Sequence, residues 1–348
     1  MHKKEGGDSF AKQVVGYLLD GPASINDVCK DLEIAWATAK SGLEEMKERG
    51  EVKEIISNPK IRIFKLTNDP AFYGVPLTKE QKNNALFLFN TIKEHWKKTE
   101  EAEKKPLLAT TLQKIAVDVA IKYKEMGKDT IPSAQFHYGK VVPIFETSAS
   151  PFDVEKPKDH LIIVGLVEEE ITKHKNNALD EMNDQYAKHD MLLYQAKQKF
   201  KTAINKNDKN KLSDIESTLV NVLMNWPVKN QDSQIFSLFT EYLGDVHGLI
   251  LTKSANDNID KINETFDVLW DLLTTDLFFR DMETQINKEK KEIFDYIKSY
   301  QILSKKVNAE ERINYLKLFI NLEAEIEMPM DEESVAIRRI LAEGAEEG

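Results

Sequence analysis

Apolar residues between positions 9 and 67 recur at spacings that fix an order of short secondary-structure elements. This order constrains the fold more than any other feature of the chain. From Phe10 to Leu19 the apolar residues recur at helical spacing, until a Gly-Pro pair ends the segment. Ser24 and Asp27 have the spacing of a helix cap, so a short helix is predicted over residues 25–32.

A longer helix and a hairpin are predicted to follow. A tight turn at residues 33–35 leads into a helix over residues 36–49, which Gly50 ends. Residues 52–57 and 61–67 alternate apolar and polar side chains on either side of an Asn-Pro-Lys turn. Alternation of this kind around a turn predicts two antiparallel strands.

The stretch over residues 38–52 resembles that of a known family. It starts with a polar and a small apolar residue, has Leu43 and Met46 at two buried positions three apart, and passes through Glu-Arg-Gly to Val52. With the order of elements, it makes residues 9–68 similar to the winged helix-turn-helix superfamily of archaeal and bacterial regulators. The resemblance covers about a sixth of the chain. It implies three helices plus a β-hairpin wing, and binding to double-stranded DNA.

If the resemblance extends to function, the helix over residues 36–49 enters the major groove of DNA. Its three- and four-residue apolar spacing predicts a buried stripe of Trp36, Ala39, Leu43 and Met46. The polar residues between them then face outward, where hydroxyl groups and lysines contact phosphates and base edges. The residues predicted to bind DNA are Thr38, Lys40, Ser41 and Lys47 on the helix, and Lys60 and Arg62 on the hairpin.

The distribution of charge leaves a second function open. The net charge of the chain is -11, and residues 1–68 carry 11 Lys and Arg against 11 Asp and Glu. A neutral domain lacks the strong positive field of many nucleic-acid binders, and three glutamates at 44, 45 and 48 would repel phosphate if they faced it. The alternative function is a protein-interaction adaptor whose winged helix contacts protein and not DNA.

The rest of the chain is predicted to be helical. We expect a helical hairpin over residues 69–130, a proline-containing connector over 131–159, and a helical domain over 160–348. That domain is expected to begin with a helix over 160–206, to contain separate helices over 281–304 and 309–327, and to end in an acidic tail. The expected fold class is therefore mainly α, an N-terminal winged helix followed by a large all-helical module. That module would serve dimerisation, sensing or partner binding.

No pattern in the sequence indicates catalysis, so we expect no enzyme and no catalytic residues. A glycine-rich phosphate loop and a nucleophile elbow are both lacking in the sequence, and the seven histidines form no ligand pattern. Glu170 and His174 are four residues apart, which is more typical of a surface contact than of a metal site. We therefore expect no cofactor and no metal.

The cysteine content and the hydropathy of the chain indicate the cellular compartment in which it is expected. One cysteine, Cys29, excludes an internal disulfide and is expected to be a small core residue. The longest apolar run, residues 161–167, is too short to cross a bilayer. We expect a cytoplasmic protein with no membrane partner. Its expected partners are double-stranded DNA, and a protein partner or a second copy bound through the helical module.

Overall fold

The computed structural model describes residues 5–145, 153–174, 176–188, 191–205, 212–226, 233–251 and 258–326. These residues are mainly helical and include a small antiparallel sheet, as the sequence predicts. Contacts divide the chain into two compact units: Met1–Met191 with Leu273–Ser304, and Leu192–Leu272 with Lys305–Gly348. No helix within the described ranges is both long and apolar enough to span a membrane. The predicted acidic tail lies almost wholly outside the described residues.

Three helices and a three-stranded sheet form the N-terminal part of the first unit. The elements are α1 (Glu5–Leu18), β1 (Ala23–Ser24), α2 (Ile25–Asp31), α3 (Trp36–Glu48), β2 (Val52–Ser57) and β3 (Arg62–Leu66). Ser24 and Asp27 form a reciprocal cap at the start of α2, where the Ser24 hydroxyl accepts from the Asp27 amide at 3.2 Å. Two otherwise unpaired amide groups are satisfied in this way, which fixes where α2 begins.

The sheet has the order β1-β3-β2, and every pair is antiparallel. A bulge at Ile55 shifts the register of β2 against β3. Val52 and Phe64 pack with buried residues of α1, α2 and α3, whereas Ile56 and Ile63 belong to a second cluster that includes residues beyond position 70. The hairpin therefore contributes to two hydrophobic clusters at once.

Further helices and a second hairpin complete the first unit. They are α4 (Lys79–Trp96), α5 (Glu100–Lys104), α6 (Ala109–Glu125), β4 (Ala134–Phe136), β5 (Gly139–Val141), α7 (His160–Ile171) and α8 (Ala178–Lys188). Residues 160–206, expected as one helix, are interrupted after Ile171. The reason is a tertiary contact: Asn176, with φ of 52°, accepts from the Leu108 amide at 2.9 Å and donates to the Pro106 carbonyl at 2.9 Å.

A buried ion pair connects the N-terminal elements to α4. Lys82 Nζ lies 3.3 Å from Asp69 Oδ1, and neither side chain is exposed to solvent. Lys82 also donates to the carbonyl oxygen of Leu19 at 3.0 Å, just after α1. Burial lowers the pKa of Lys82, and the Asp69 carboxylate opposes that shift. The pair and the shared hydrophobic cluster make residues 9–68 continuous with the rest of the first unit.

The second unit is built from α9 (Leu192–Asn205), α10 (Leu212–Met224), α11 (Ser233–Leu251) and parts of α12 (Ile259–Glu283) and α13 (Lys291–Ile326). Aromatic rings fill its core, with Tyr194 edge-on to Trp270 at 5.2 Å between centroids. The sequence suggests separate helices over 281–304 and 309–327, but α13 is continuous. Its residues 305–308 contain neither proline nor glycine to break it.

Candidate nucleic-acid interface

The inward face of α3 is formed by three of the four residues predicted for its apolar stripe. Ala39, Leu43 and Met46 are completely buried. Trp36 is not, because half of its side chain is exposed and its indole Nε1 donates to Asn26 Oδ1 at 3.2 Å. Side chains lean toward the N-terminus of a helix, so the first residue of α3 extends past the packed core. The prediction that Trp36 is buried was wrong.

Gly42 lies against the ring of Phe10 on α1. A Cβ atom at this position would lie 2.1 Å from that ring, so a larger residue would require the Phe10 side chain to move. The ring of Phe10 fills the space beside Gly42, and the nearest exposed side chains are those of Lys40 and Ser41.

The N-terminal half of α3 presents polar groups and contains no acid. Thr38, Lys40 and Ser41 are exposed to solvent, and residues 36–43 include neither Asp nor Glu. Lys40 Nζ lies 5.3 Å from the centroid of the Trp36 ring, at the range of a cation–π contact. This half of the helix therefore carries a single positive charge beside an exposed indole and two hydroxyl groups.

The C-terminal half of α3 is joined to the hairpin by an ion-pair network. Arg62 on β3 binds Glu54 through Nε at 2.5 Å and Nη2 at 2.9 Å, and binds Glu44 through Nη1 at 2.5 Å. Lys47 Nζ lies 2.5 Å from Glu54 Oε2, which also accepts from Arg62 Nη2. We call Glu44, Lys47, Glu54 and Arg62 the hairpin network. Its formal charges sum to zero.

Electrostatics within the hairpin network favour its charged form. The hydrogen bonds from Arg62 lower the pKa of Glu54 to about 2, and the bond from Lys47 acts in the same direction. The hydrogen bond from Arg62 also lowers the pKa of Glu44. Arg62 makes three charge-assisted bonds and is mostly buried, so its guanidinium is held by the carboxylates of Glu44 and Glu54. This argues against Arg62 as a phosphate contact and weakens the case for Lys47.

Lys60 stands at the tip of the hairpin, where Asn58 shapes the turn. The Asn58 Oδ1 atom accepts from the Lys60 amide at 2.9 Å and from the Ile61 amide at 2.8 Å. These bonds are typical of an Asx turn, which holds the tip in one conformation. The Lys60 side chain is exposed, and no described carboxylate lies within salt-bridge distance of its ammonium.

The six predicted residues thus divide into two groups. Thr38, Lys40, Ser41 and Lys60 are exposed and available to a ligand, whereas Lys47 and Arg62 pair with carboxylates. The sequence analysis did not identify Glu54, because the alternation of apolar and polar residues along β2 does not show that Glu54 contacts Arg62. It also missed the role of Gly42. In comparisons with known proteins, no family model, curated protein or solved structure significantly matches this chain.

Proposed function

We propose that residues 9–68 form a winged helix that binds double-stranded DNA, and that the chain is a DNA-binding transcriptional regulator. The N-terminal half of α3 would lie in the major groove with Thr38, Lys40 and Ser41 toward base edges and phosphates. Lys60 would contact the backbone from the hairpin tip. The helical remainder would serve dimerisation, sensing or partner binding.

One observation carries this proposal. The half of α3 that leads a recognition helix into the groove is exposed and free of acids, while the acids of the other half include Glu44, which Arg62 neutralises. The hairpin network would hold α3 against β2 and β3, so that the helix is presented rigidly. In this proposal Arg62 and Lys47 position the helix and do not touch DNA.

The proposal is tested by removing the two exposed lysines. We expect Lys40→Ala with Lys60→Ala to weaken DNA binding by the full chain at least tenfold at low salt, because two phosphate or base contacts are lost. Fluorescence anisotropy with a labelled genomic fragment library measures this. The matched control is Lys98→Ala, which removes an exposed lysine after α4 and should leave binding unchanged.

Trp36 supports a second candidate, the protein-interaction adaptor. An exposed tryptophan with a satisfied indole N–H is a common anchor of protein interfaces. The pairing of Lys47 and Arg62 with carboxylates also reduces the positive field that DNA requires. If the full chain binds no DNA at low salt and the lysine variants behave as wild type, the adaptor becomes the better proposal.

A further inference from the structure

Four ionisable side chains from three segments of the first unit meet away from the candidate nucleic-acid interface. Asp118 lies on α6, Glu170 on α7, His174 just after α7, and Glu181 on α8. We call these four residues the acid–histidine cluster. Their side chains are at most 8% exposed, so the charged groups are almost fully removed from water. Buried charged groups are normally paired with each other or bound to a metal ion, so four of them together indicate an ion-pair network or a binding site.

Three members offer ligand atoms at metal-binding separations. One atom each from Asp118, Glu170 and His174 lies within 4.8 Å of the other two. A cavity of about 220 Å³ adjoins these three residues and Glu181. An imidazole nitrogen and two carboxylate oxygens are ligands that Zn²⁺ and related ions accept.

Glu170 supplies an independent sign that a ligand belongs here. Its side chain is completely buried, yet Oε2 accepts no hydrogen bond from any described residue. The other oxygen, Oε1, accepts from Lys173 at 2.9 Å and pairs with Lys122. The Lys188 ammonium is 3.9 Å from Oε2, which is within ion-pair distance but too far for a hydrogen bond. A buried carboxylate oxygen without a donor is costly, and a cation bound there would satisfy it.

The orientation of His174 also fits a ligand role. Its Nδ1 atom pairs with Glu181, while Nε2 faces Asp118 Oδ2 at 3.5 Å. Metal-binding histidines usually donate one ring nitrogen to a carboxylate, which directs the other nitrogen at the ion. Burial acts to lower the pKa of His174, but the hydrogen bonds with Asp118 and Glu181 outweigh it and raise the pKa to about 9. An incoming ion must displace that proton.

Lys188 occupies part of the same space. Its Nζ atom lies 2.7 Å from Asp118 Oδ2, one of the oxygens that would bind the ion. The side chain is about half exposed, so it can swing into solvent without unfolding α8. The ammonium thus competes with a metal for Asp118 and, at the longer distance of 3.9 Å, for Glu170 Oε2. If the cluster is a metal site, replacing Lys188 should raise its affinity for the metal. If the cluster is an ion-pair network alone, the same replacement should lower the stability of the protein.

We propose that Asp118, Glu170 and His174 bind a divalent transition-metal ion of the Zn²⁺ class, with Glu181 orienting His174 and Lys188 competing for Asp118. Three protein ligands leave a fourth position for water or a small ligand. The ion would connect α6 with α7 directly, and α8 only through the contact of Glu181 with His174. This site is separate from the proposed DNA contact, and either proposal can fail without the other.

The test is a Zn²⁺ titration of the full chain, with any purification tag removed and metal stripped by a chelator. Isothermal calorimetry should show one ion per chain, and thermal unfolding should shift upward with Zn²⁺. His174→Gln should reduce the affinity at least a hundredfold, whereas Lys188→Met should increase it about tenfold. His247→Gln is the matched control, because His247 pairs with Glu216 in the second unit and should leave Zn²⁺ binding unchanged.

Two outcomes would overturn the proposal. One is a Zn²⁺ affinity that His174→Gln leaves unaltered, which would place the ion elsewhere. The other is a Lys188→Met protein that loses stability and shows no Zn²⁺ binding, which would identify the cluster as an ion-pair network alone. Circular dichroism of each variant verifies that it is folded, and Asp118→Asn provides a second ligand variant if His174→Gln is not.

Discussion

Individual ion pairs determine which of the residues predicted to bind DNA remain exposed. Arg62 and Lys60 are two residues apart on the hairpin and have the same charge, yet one is bound by two carboxylates and the other is exposed. The difference lies in Glu44 and Glu54, which reach Arg62 from α3 and β2. The sequence shows the residue types but not this pairing, because Glu44 is 18 residues away on α3 and Glu54 is opposite Phe64, not Arg62, in the strand register.

Glu54 should make stability depend on pH. Its pKa is lowered in the folded state from an ordinary value near 4.5 to about 2. Its stabilising contribution is therefore complete above about pH 4.5 and is lost as the pH falls through about 2. We expect Glu54→Gln to destabilise the protein by roughly 1–3 kcal/mol at pH 7, because charge-assisted bonds are lost. Urea unfolding at pH 7 and at pH 3 measures both effects.

The control for this prediction is Glu51→Gln, since Glu51 pairs with Arg49 on the surface. Exposed pairs contribute roughly 0–1 kcal/mol, so the control should change little. A Glu54→Gln protein that loses as much stability as wild type between pH 7 and pH 3 would contradict the assigned role.

Among the secondary-structure elements, local patterns predict much and long-range contacts decide the rest. The Ser24–Asp27 cap and the alternation on both sides of the Asn-Pro-Lys turn are local signals, and α2, β2 and β3 lie where those signals indicate. The break after α7 has no such signal, because it depends on Asn176 bonding to residues before α6. The acid–histidine cluster was missed for the same reason: Glu170 and His174 are close in sequence, but Asp118 comes from another helix.

The ion pair between Lys82 and Asp69 should contribute strongly to how α4 is attached to the N-terminal elements. Lys82→Met keeps the apolar stem but leaves Asp69 buried without its ion-pair partner. We expect a loss of about 3–5 kcal/mol in the free energy of unfolding. Lys79→Met, which removes an exposed lysine on the same helix, should cost about 1 kcal/mol or less. Urea denaturation compares the two, and equal losses would show that burial of the pair is unimportant.

For the whole molecule, the mainly helical fold was predictable from hydrophobic spacing, while the proposed function depends on a few exposed groups. Residues 1–68 are neutral overall, and the structure adds that two of the predicted cations are paired internally. Under the proposed function, one copy of the chain is therefore expected to bind DNA with only modest affinity, and tight binding would require two copies acting together. Composition alone cannot show this, because it counts charges without showing which of them are paired.

The salt dependence of DNA binding tests the central claim most directly. Each phosphate contact contributes a slope of roughly -0.9 in the logarithm of the binding constant against the logarithm of salt concentration. With Lys40 and Lys60 as the contacts, we expect a slope of about -2 for each bound copy. Lys40→Ala with Lys60→Ala should bring it close to zero, and Lys98→Ala should leave it unchanged. A full chain that binds no DNA at low salt, or a slope that the double variant does not alter, would contradict the proposed DNA contact.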